Sequence, residues 1–215
     1  MSRSVRRRTL LAGAALGWAA LASGREPGRE PGLEPGREAA QHSAGHAFGP
    51  VPRDGQHVLM MRHADAPGVG DPPGFRLGDC STQRNLGAAG REQARAVGRW
   101  LRAHGLMQAR VWASPWCRCM ETAQLLGYGA VQTDDSLASF FGESQQAAAR
   151  TVALQGLIAR LLVQPGAPLP LLVTHQVNLS AYAGGFAASA ELLLVRVDSA
   201  GRPLNVQRHA PPPTS

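Results

Sequence analysis

From about residue 51 onward, short apolar runs alternate with longer segments of helical period. Val58-Leu59-Met60-Met61 is an unbroken apolar run, which suits a strand buried on both faces. Beyond the Gly/Pro-rich stretch 66–78, the spacing predicts a helix capped by Asn85 and stopped by Gly105 after His104. Ala94, Val97, Leu101 and His104 fall on one face of it, and Arg91, Arg95 and Arg99 form a basic stripe on another. Ala109 to Ala113 reads as a second strand ending at Ser114-Pro115, with Pro115 suited to the first turn of a helix that runs to Leu126. A third short strand falls around Val131, followed by Asp134-Asp135-Ser136 and the loop Phe140-Phe141-Gly142. A helix is expected over 143–162, stopped by Pro165-Gly166. Leu169 to Val173 forms a strand interrupted only by Pro170, with Thr174-His175 at its end, and a short helix follows. Glu191 to Val197 and Leu204 to Gln207 pair as a hairpin across Asp198-Ser199-Ala200-Gly201. Strand–helix alternation of this kind predicts a three-layer α/β/α sandwich with a mostly parallel central sheet.

The first 50 residues carry none of this periodicity. Residues 1–22 read as an export signal: Arg6-Arg7-Arg8, an apolar stretch Thr9 to Leu21, and Ala20-Leu21-Ala22 as a small-x-small cleavage site. Arg7-Arg8-Thr9-Leu10-Leu11 also resembles a twin-arginine signal, so a periplasmic or secreted protein is expected. Residues 23–50 repeat Arg-Glu-Pro-Gly and Leu-Glu-Pro-Gly tetrapeptides, whose prolines and glycines forbid a helix and which offer nothing to bury. They read as a linker, leaving 51–215 as one folded domain.

Composition narrows the classes further. All 22 basic residues are Arg, so the identity of the cation carries little information and its position carries most. Four of them lie in the export signal; the remaining 18 against 15 acidic residues leave +3, too mild to indicate nucleic acid binding. No run approaches the roughly 18 apolar residues of a stable membrane span.

Chemistry gathers at the strand ends. Arg62-His63 follows the first strand, Ser114-Pro115 with Arg118 one turn later follows the second, and Thr174-His175 closes the fourth. In a parallel sheet these ends converge on one edge, where ligands bind. Two guanidiniums and two imidazoles there suit a phosphoryl group: bidentate donors for its oxygens and a neutral imidazole for in-line attack. Positive neighbours should depress the His63 pKa and keep its ring nucleophilic near neutral pH.

Arg62-His63-Ala64, Ser114-Pro115 with Arg118 and Glu121-Thr122-Ala123, and Thr174-His175 resemble the signatures of the histidine phosphatase superfamily, the phosphoglycerate-mutase-like fold. Asn85-Leu86 through Gly90 to Gln93-Ala94 is similar to that family's first helix. The resemblance implies a phosphomonoesterase in which His63 is transiently phosphorylated, while Arg62, Arg118 and His175 hold the phosphoryl oxygens. It implies no metal and no organic cofactor. The chain looks most like the small exported branch, whose best-known relatives act on phosphates of lipopolysaccharide core heptose, so a phosphorylated small molecule or envelope glycan is the expected partner. Two other readings share the pocket: a phosphate-binding envelope protein with impaired catalysis, and a protein phosphohistidine phosphatase.

One departure stands out. Where the family carries a proton-donating Glu, the register Leu137-Ala138-Ser139 places Ser139. Asp65, Asp135 and Glu143 are the substitutes, with Asp65 favoured because it follows the nucleophile by two residues. The three cysteines allow one bridge plus a thiol, or three thiols; in a bridge, Cys80, in the loop over the pocket, would pair with Cys117 or with its rival Cys119, on either side of Arg118.

Overall fold

The computed structural model describes residues 52, 54–163 and 166–214. The export signal assigned to 1–22 and the linker assigned to 23–50 lie outside the described residues. The elements run β1 (His57–Arg62), α1 (Ala88–Ala103), β2 (Arg110–Ala113), α2 (Cys117–Leu125), β3 (Val131–Thr133), α3 (Ala147–Leu162), β4 (Pro170–Thr174), α4 (Gln176–Ala183), β5 (Leu192–Val197) and β6 (Pro203–His209).

The six strands form one mixed open sheet in the order β3-β2-β4-β1-β5-β6. β3, β2, β4 and β1 are mutually parallel, and β5 joins β1 antiparallel before pairing with β6. The sheet therefore has the α/β sandwich character read from the sequence, with an antiparallel hairpin at one edge. β1 and β4 lie side by side at its centre with Arg62 level with Thr174, so Arg62-His63 and Thr174-His175 leave the sheet together.

The period of two in a strand divides the apolar run of β1 between two cores. Leu59 and Met61 join Ala94, Val97 and Leu101 of α1 and Cys119 and Ala123 of α2 on one face. Val58 and Met60 join Leu154, Leu157, Ile158 and Leu161 of α3 and Leu179 and Tyr182 of α4 on the other. That two-sided burial is why Val58 to Met61 of β1 are all apolar. Pro170 sits at the first position of β4, where the absence of its N–H costs least. No helix among the described residues is long and apolar enough to cross a membrane.

Several element boundaries differ from the sequence expectation. Helix α1 is capped by Gly87 rather than Asn85. The Asn85 side chain instead donates to the carbonyls of Cys80 at 2.6 Å and Gln83 at 3.1 Å, closing the preceding loop. Pro115 precedes α2 instead of entering it, since Trp116 is the N-cap. The long third helix begins at Ala147 because residues 144–146 form a 3-10 turn.

Gly90 fixes how closely α1 approaches the end of β1. A Cβ there would lie 1.9 Å from the Asp65 carbonyl oxygen, so only glycine permits the contact. Gly156, inside α3, would meet nothing nearer than the flexible end of Arg160, at 3.6 Å. We therefore expect Gly90→Ala to lose about 1–3 kcal/mol through backbone overlap and Gly156→Ala to gain about 0.5–1 kcal/mol through helix propensity. Urea unfolding of the two variants checks both signs.

Candidate active site

His63 is the residue immediately beyond β1, and its main chain is held on both sides. Its N–H donates to the Thr174 carbonyl at 2.9 Å, and its own carbonyl accepts from Ala190 N at 3.2 Å. Ala190 adopts φ +60°, a left-handed conformation that a residue with a Cβ takes only under tertiary constraint. The His63 ring places Nδ1 2.8 Å from the Ala64 carbonyl oxygen. A carbonyl can only accept, so Nδ1 carries the proton and Nε2 keeps its lone pair. Burial, followed by the charges of Arg118, Arg62 and Arg84, outweighs the Ala64 hydrogen bond and lowers the His63 pKa to about 3. The ring is therefore neutral at any pH near 7.

His175 stands beside it at the end of β4, edge-on, with ring centroids 5.5 Å apart. Its Nδ1 faces the Arg118 guanidinium at 3.4 Å, and its Nε2 lies 2.7 Å from Ser114 Oγ. Complete burial, followed by Arg118, holds its pKa well below the ordinary imidazole value. A guanidinium cannot accept, so Nε2–H donates to Ser114. The free thiol of Cys119 packs 3.5 Å from the same nitrogen, and burial pushes its pKa to about 12, so it is an inert neighbour.

Three guanidiniums surround the two rings. Arg62 donates Nη1 to the Ala187 carbonyl at 2.8 Å. Arg118, buried in the first turn of α2, donates Nη1 to Asp71 Oδ1 at 2.8 Å. The third, Arg84, is fixed by the carbonyls of Gly70, at 2.8 Å, and Ala66. The Nε atoms of Arg62 and Arg118 are both buried with no hydrogen-bond partner among the described residues. An unpaired buried donor costs about 1–3 kcal/mol, and more when charged, so these two atoms are provision for an anion.

Asp71 was not singled out in the sequence, nor was Arg84. Asp71 accepts from Arg118, from Trp116 Nε1 at 3.1 Å and from the Arg84 main-chain N–H at 3.0 Å. Burial works to raise its pKa, but the Arg118 hydrogen bond and the two other donors prevail and hold it below the ordinary carboxylate range. The only available cue for Arg84 was its place directly before the Asn85-Leu86 segment. Asp71 had none, because it lies in an irregular Gly/Pro loop.

The other candidates are placed as follows. Asp65 continues from β1 with its main chain tied to Gln93 Oε1 at 3.0 Å, and its carboxylate acts electrostatically on Arg62 and Arg84. Asp135 and Glu143 are exposed, and Glu143 is occupied by Gln146. Ser139 accepts the Phe141 N–H at 3.2 Å and so shapes the Phe140-Phe141 loop. Cys80 and Cys117 are joined by a disulfide, which anchors the 66–80 loop one residue from Arg118. Among the described residues no three His, Cys, Asp or Glu side chains are grouped to hold a metal ion. A cavity of about 960 Å³, lined by Asp54, His57, Arg110 and Leu169, lies at the opposite end of the sheet. It contains none of the residues named above.

Residues 58–155 match the family model described as histidine phosphatase superfamily, branch 1. No curated protein matches the chain in sequence. Solved structures share its architecture at low identity. A mycobacterial glucosyl-3-phosphoglycerate phosphatase is 16% identical, covering 71% of this chain and 96% of its own, with a TM-score of 0.51. The product of an open reading frame of Mycobacterium tuberculosis is 17% identical over 72% of this chain and 96% of its own, also with a TM-score of 0.51. The protein histidine phosphatase SixA, complexed with tungstate, is 18% identical over 72% and 94%, with a TM-score of 0.49.

Two measurable consequences follow from this geometry. Both imidazoles are neutral in the fold and bind a proton below about 6.5 once unfolded, so the unfolded state binds more protons in acid. Stability is therefore retained above pH 6.5 and falls as pH drops towards the depressed folded values. Tm measured from pH 7 to pH 4.5 should decline, and less steeply in His63→Asn/His175→Asn. The disulfide closes a loop of sequence separation 37, so Cys80→Ser/Cys117→Ser should lose roughly 3–4 kcal/mol in denaturant unfolding.

Proposed function

We propose that this chain, whose residues 58–155 match the histidine phosphatase superfamily model, is a phosphomonoesterase that works through a phosphohistidine on His63. The observation that carries this reading is the His63 ring: Nδ1 is locked to the Ala64 carbonyl, leaving Nε2 unprotonated beside guanidiniums with unpaired buried donors. Nε2 attacks phosphorus in line, the bond from phosphorus to the ester oxygen breaks, and that oxygen leaves with the electron pair and takes up a proton. Water then attacks the phosphohistidine, releasing inorganic phosphate and restoring the imidazole.

Charge on the transferring group is met by arginines. Arg62 and Arg118 still have N–H groups to give, and Arg84 adds a third positive charge within electrostatic reach of both rings. His175 keeps Arg118 and Ser114 in register with the nucleophile. The long 3.4 Å contact between Arg118 and His175 is the one that a phosphoryl oxygen entering between them replaces. Asp65 is assigned the leaving-group proton. In this scheme Arg62, Arg84 and Arg118 supply the electrostatic stabilisation, with no metal and no organic cofactor, and turnover should persist in EDTA.

Export to the periplasm or beyond belongs to the same proposal. The Arg6-Arg7-Arg8 signal pattern supports it, and so does the Cys80–Cys117 bridge, which persists in an oxidising compartment. A phosphorylated small molecule or envelope glycan is the substrate pool such a location offers.

Rapid mixing with 4-nitrophenyl phosphate should give a burst of acid-labile phosphoprotein stoichiometric with enzyme, and His63→Ala should abolish both burst and turnover. Full turnover in that variant would sink the mechanism. Arg118→Ala should lower kcat about 10²–10³-fold, as expected for one charged donor to the transition state. Phosphate binding without turnover on any ester would instead favour a binding protein that has lost its chemistry.

A further inference from the structure

The rim of the phosphoryl site carries exposed aromatic and aliphatic side chains. Phe141 is 60% exposed, Phe186 68%, Phe75 37% and Val69 87%. Two of these rings adjoin the phosphate-binding machinery. The Phe186 ring lies 5.5 Å from the centre of the Arg62 guanidinium. The Phe141 ring rests against Gly70, where a Cβ would meet it at 3.7 Å, and Gly70 is followed directly by Asp71, the partner of Arg118. Phe75 stacks obliquely on Trp116 at 6.0 Å, and Trp116 packs edge-on against His175 at 5.3 Å.

The main-chain segments that carry Phe186 and Phe141 are held in place. The Phe186 segment is pinned by Arg62 to the Ala187 carbonyl and by Arg208 to the Phe186 carbonyl at 3.0 Å. Glu191, paired with Arg208, also accepts the Ala188 N–H at 2.7 Å. Phe141 is positioned by the Ser139 hydroxyl, on the loop where the family's acid would stand. Phenyl rings exposed together beside a charged pocket are a cost to the free protein unless something apolar covers them in use.

The geometry points to an aryl phosphomonoester as the substrate class, its phosphoryl group among Arg62, Arg84 and Arg118 and its aromatic leaving group against Phe141 and Phe186. The inference rests on the phosphatase reading above. It also fits the acid available. Asp71 is occupied by three donors, Asp135 is exposed, and Glu143 is exposed and engaged by Gln146, so protonation is assigned to Asp65. A phenol, with a pKa of about 10, departs with less help than an aliphatic alcohol.

The test separates binding of the ring from reactivity of the ester. Benzylphosphonate and methylphosphonate share the anionic group and cannot be hydrolysed at an ester, so their ratio of inhibition constants reports the ring alone. Benzylphosphonate should bind about tenfold tighter, and Phe141→Ser and Phe186→Ser should each bring that ratio most of the way to one. Phenyl phosphate should exceed glycerol phosphate in kcat/KM. Equal inhibition constants in the parent protein, an unchanged ratio in both variants, or tenfold tighter binding of octylphosphonate than of benzylphosphonate would each overturn the aryl assignment while leaving a phosphatase. Absence of turnover on every ester, with no phosphoprotein burst, would overturn the phosphatase reading and this one with it.

Discussion

The Arg118–Asp71 pair is the contact on which the rest of the site depends. Both side chains are nearly buried, at 4% and 9% exposure, and Arg118 stands among Arg62, Arg84, His63 and His175. Positive groups collected in a largely buried cleft repel one another and lose part of their hydration, so they stay together only if fixed dipoles and an opposing charge offset that cost. Asp71 is the opposing charge. The carbonyls of Ala66, Gly70, Arg84 and Ala187 are the dipoles. Three of those four carbonyls and Asp71 itself come from the stretch 66–84, so this irregular loop is a structural part of the anion site. The Cys80–Cys117 bridge and the Asn85 side chain then tie that stretch to the start of α2 and to itself.

The sheet supplies the other half of the arrangement. Because β1 and β4 are adjacent and in register, His63 and His175 emerge as neighbours, and the N–H of His63 is fixed to the carbonyl of Thr174. Ser114, at the end of β2 beside β4, reaches His175, and its main-chain N–H donates to the Val173 carbonyl at 2.9 Å. Gly90 brings α1 against the Asp65 carbonyl, and the Gln93 side chain from the same helix takes the Asp65 N–H. The turn after the nucleophile is thus held by a helix that contributes nothing to the chemistry. Loss of that close approach would be felt at His63, two residues away.

Much of this was legible from the chain alone, and the reasons are local. The unbroken Val58–Met61 run predicted a central strand, and its burial in both cores explains why it could not alternate. Arg62, His63, Arg118 and His175 were readable because each lies at a strand's end or in the first turn of the helix that follows one, where topology leaves little freedom. Asp71 and Arg84 were not. They belong to a loop whose path is set by its contacts with Trp116, Arg118 and Cys117, and no periodicity encodes such contacts. The Asn85 cap failed for a related reason: its side chain had a better-placed partner in the loop behind it than in the helix ahead. The basic stripe Arg91, Arg95 and Arg99 proved to be a salt-bridged surface, paired with Glu121 and Glu92.

In the proposed mechanism the arginines that would hold the phosphate also act on the nucleophile, and the two roles follow in sequence. In the free site, burial is the first cause of the low His63 pKa and the three guanidiniums add to it. A dianionic phosphoryl group bound among those guanidiniums opposes their field at the imidazole and raises its basicity at the moment when a lone pair is required. Burial remains, so the ring gains nucleophilic strength without returning to its ordinary pKa and capturing a proton from solvent. The Nδ1–H bond to Ala64 works in the same direction, because an imidazole that becomes cationic on forming the phosphorus–nitrogen bond donates more strongly to that carbonyl than the neutral ring does. Charge created by the reaction is therefore met by a dipole already in place, and the low resting basicity of His63 is compatible with its use as the attacking group.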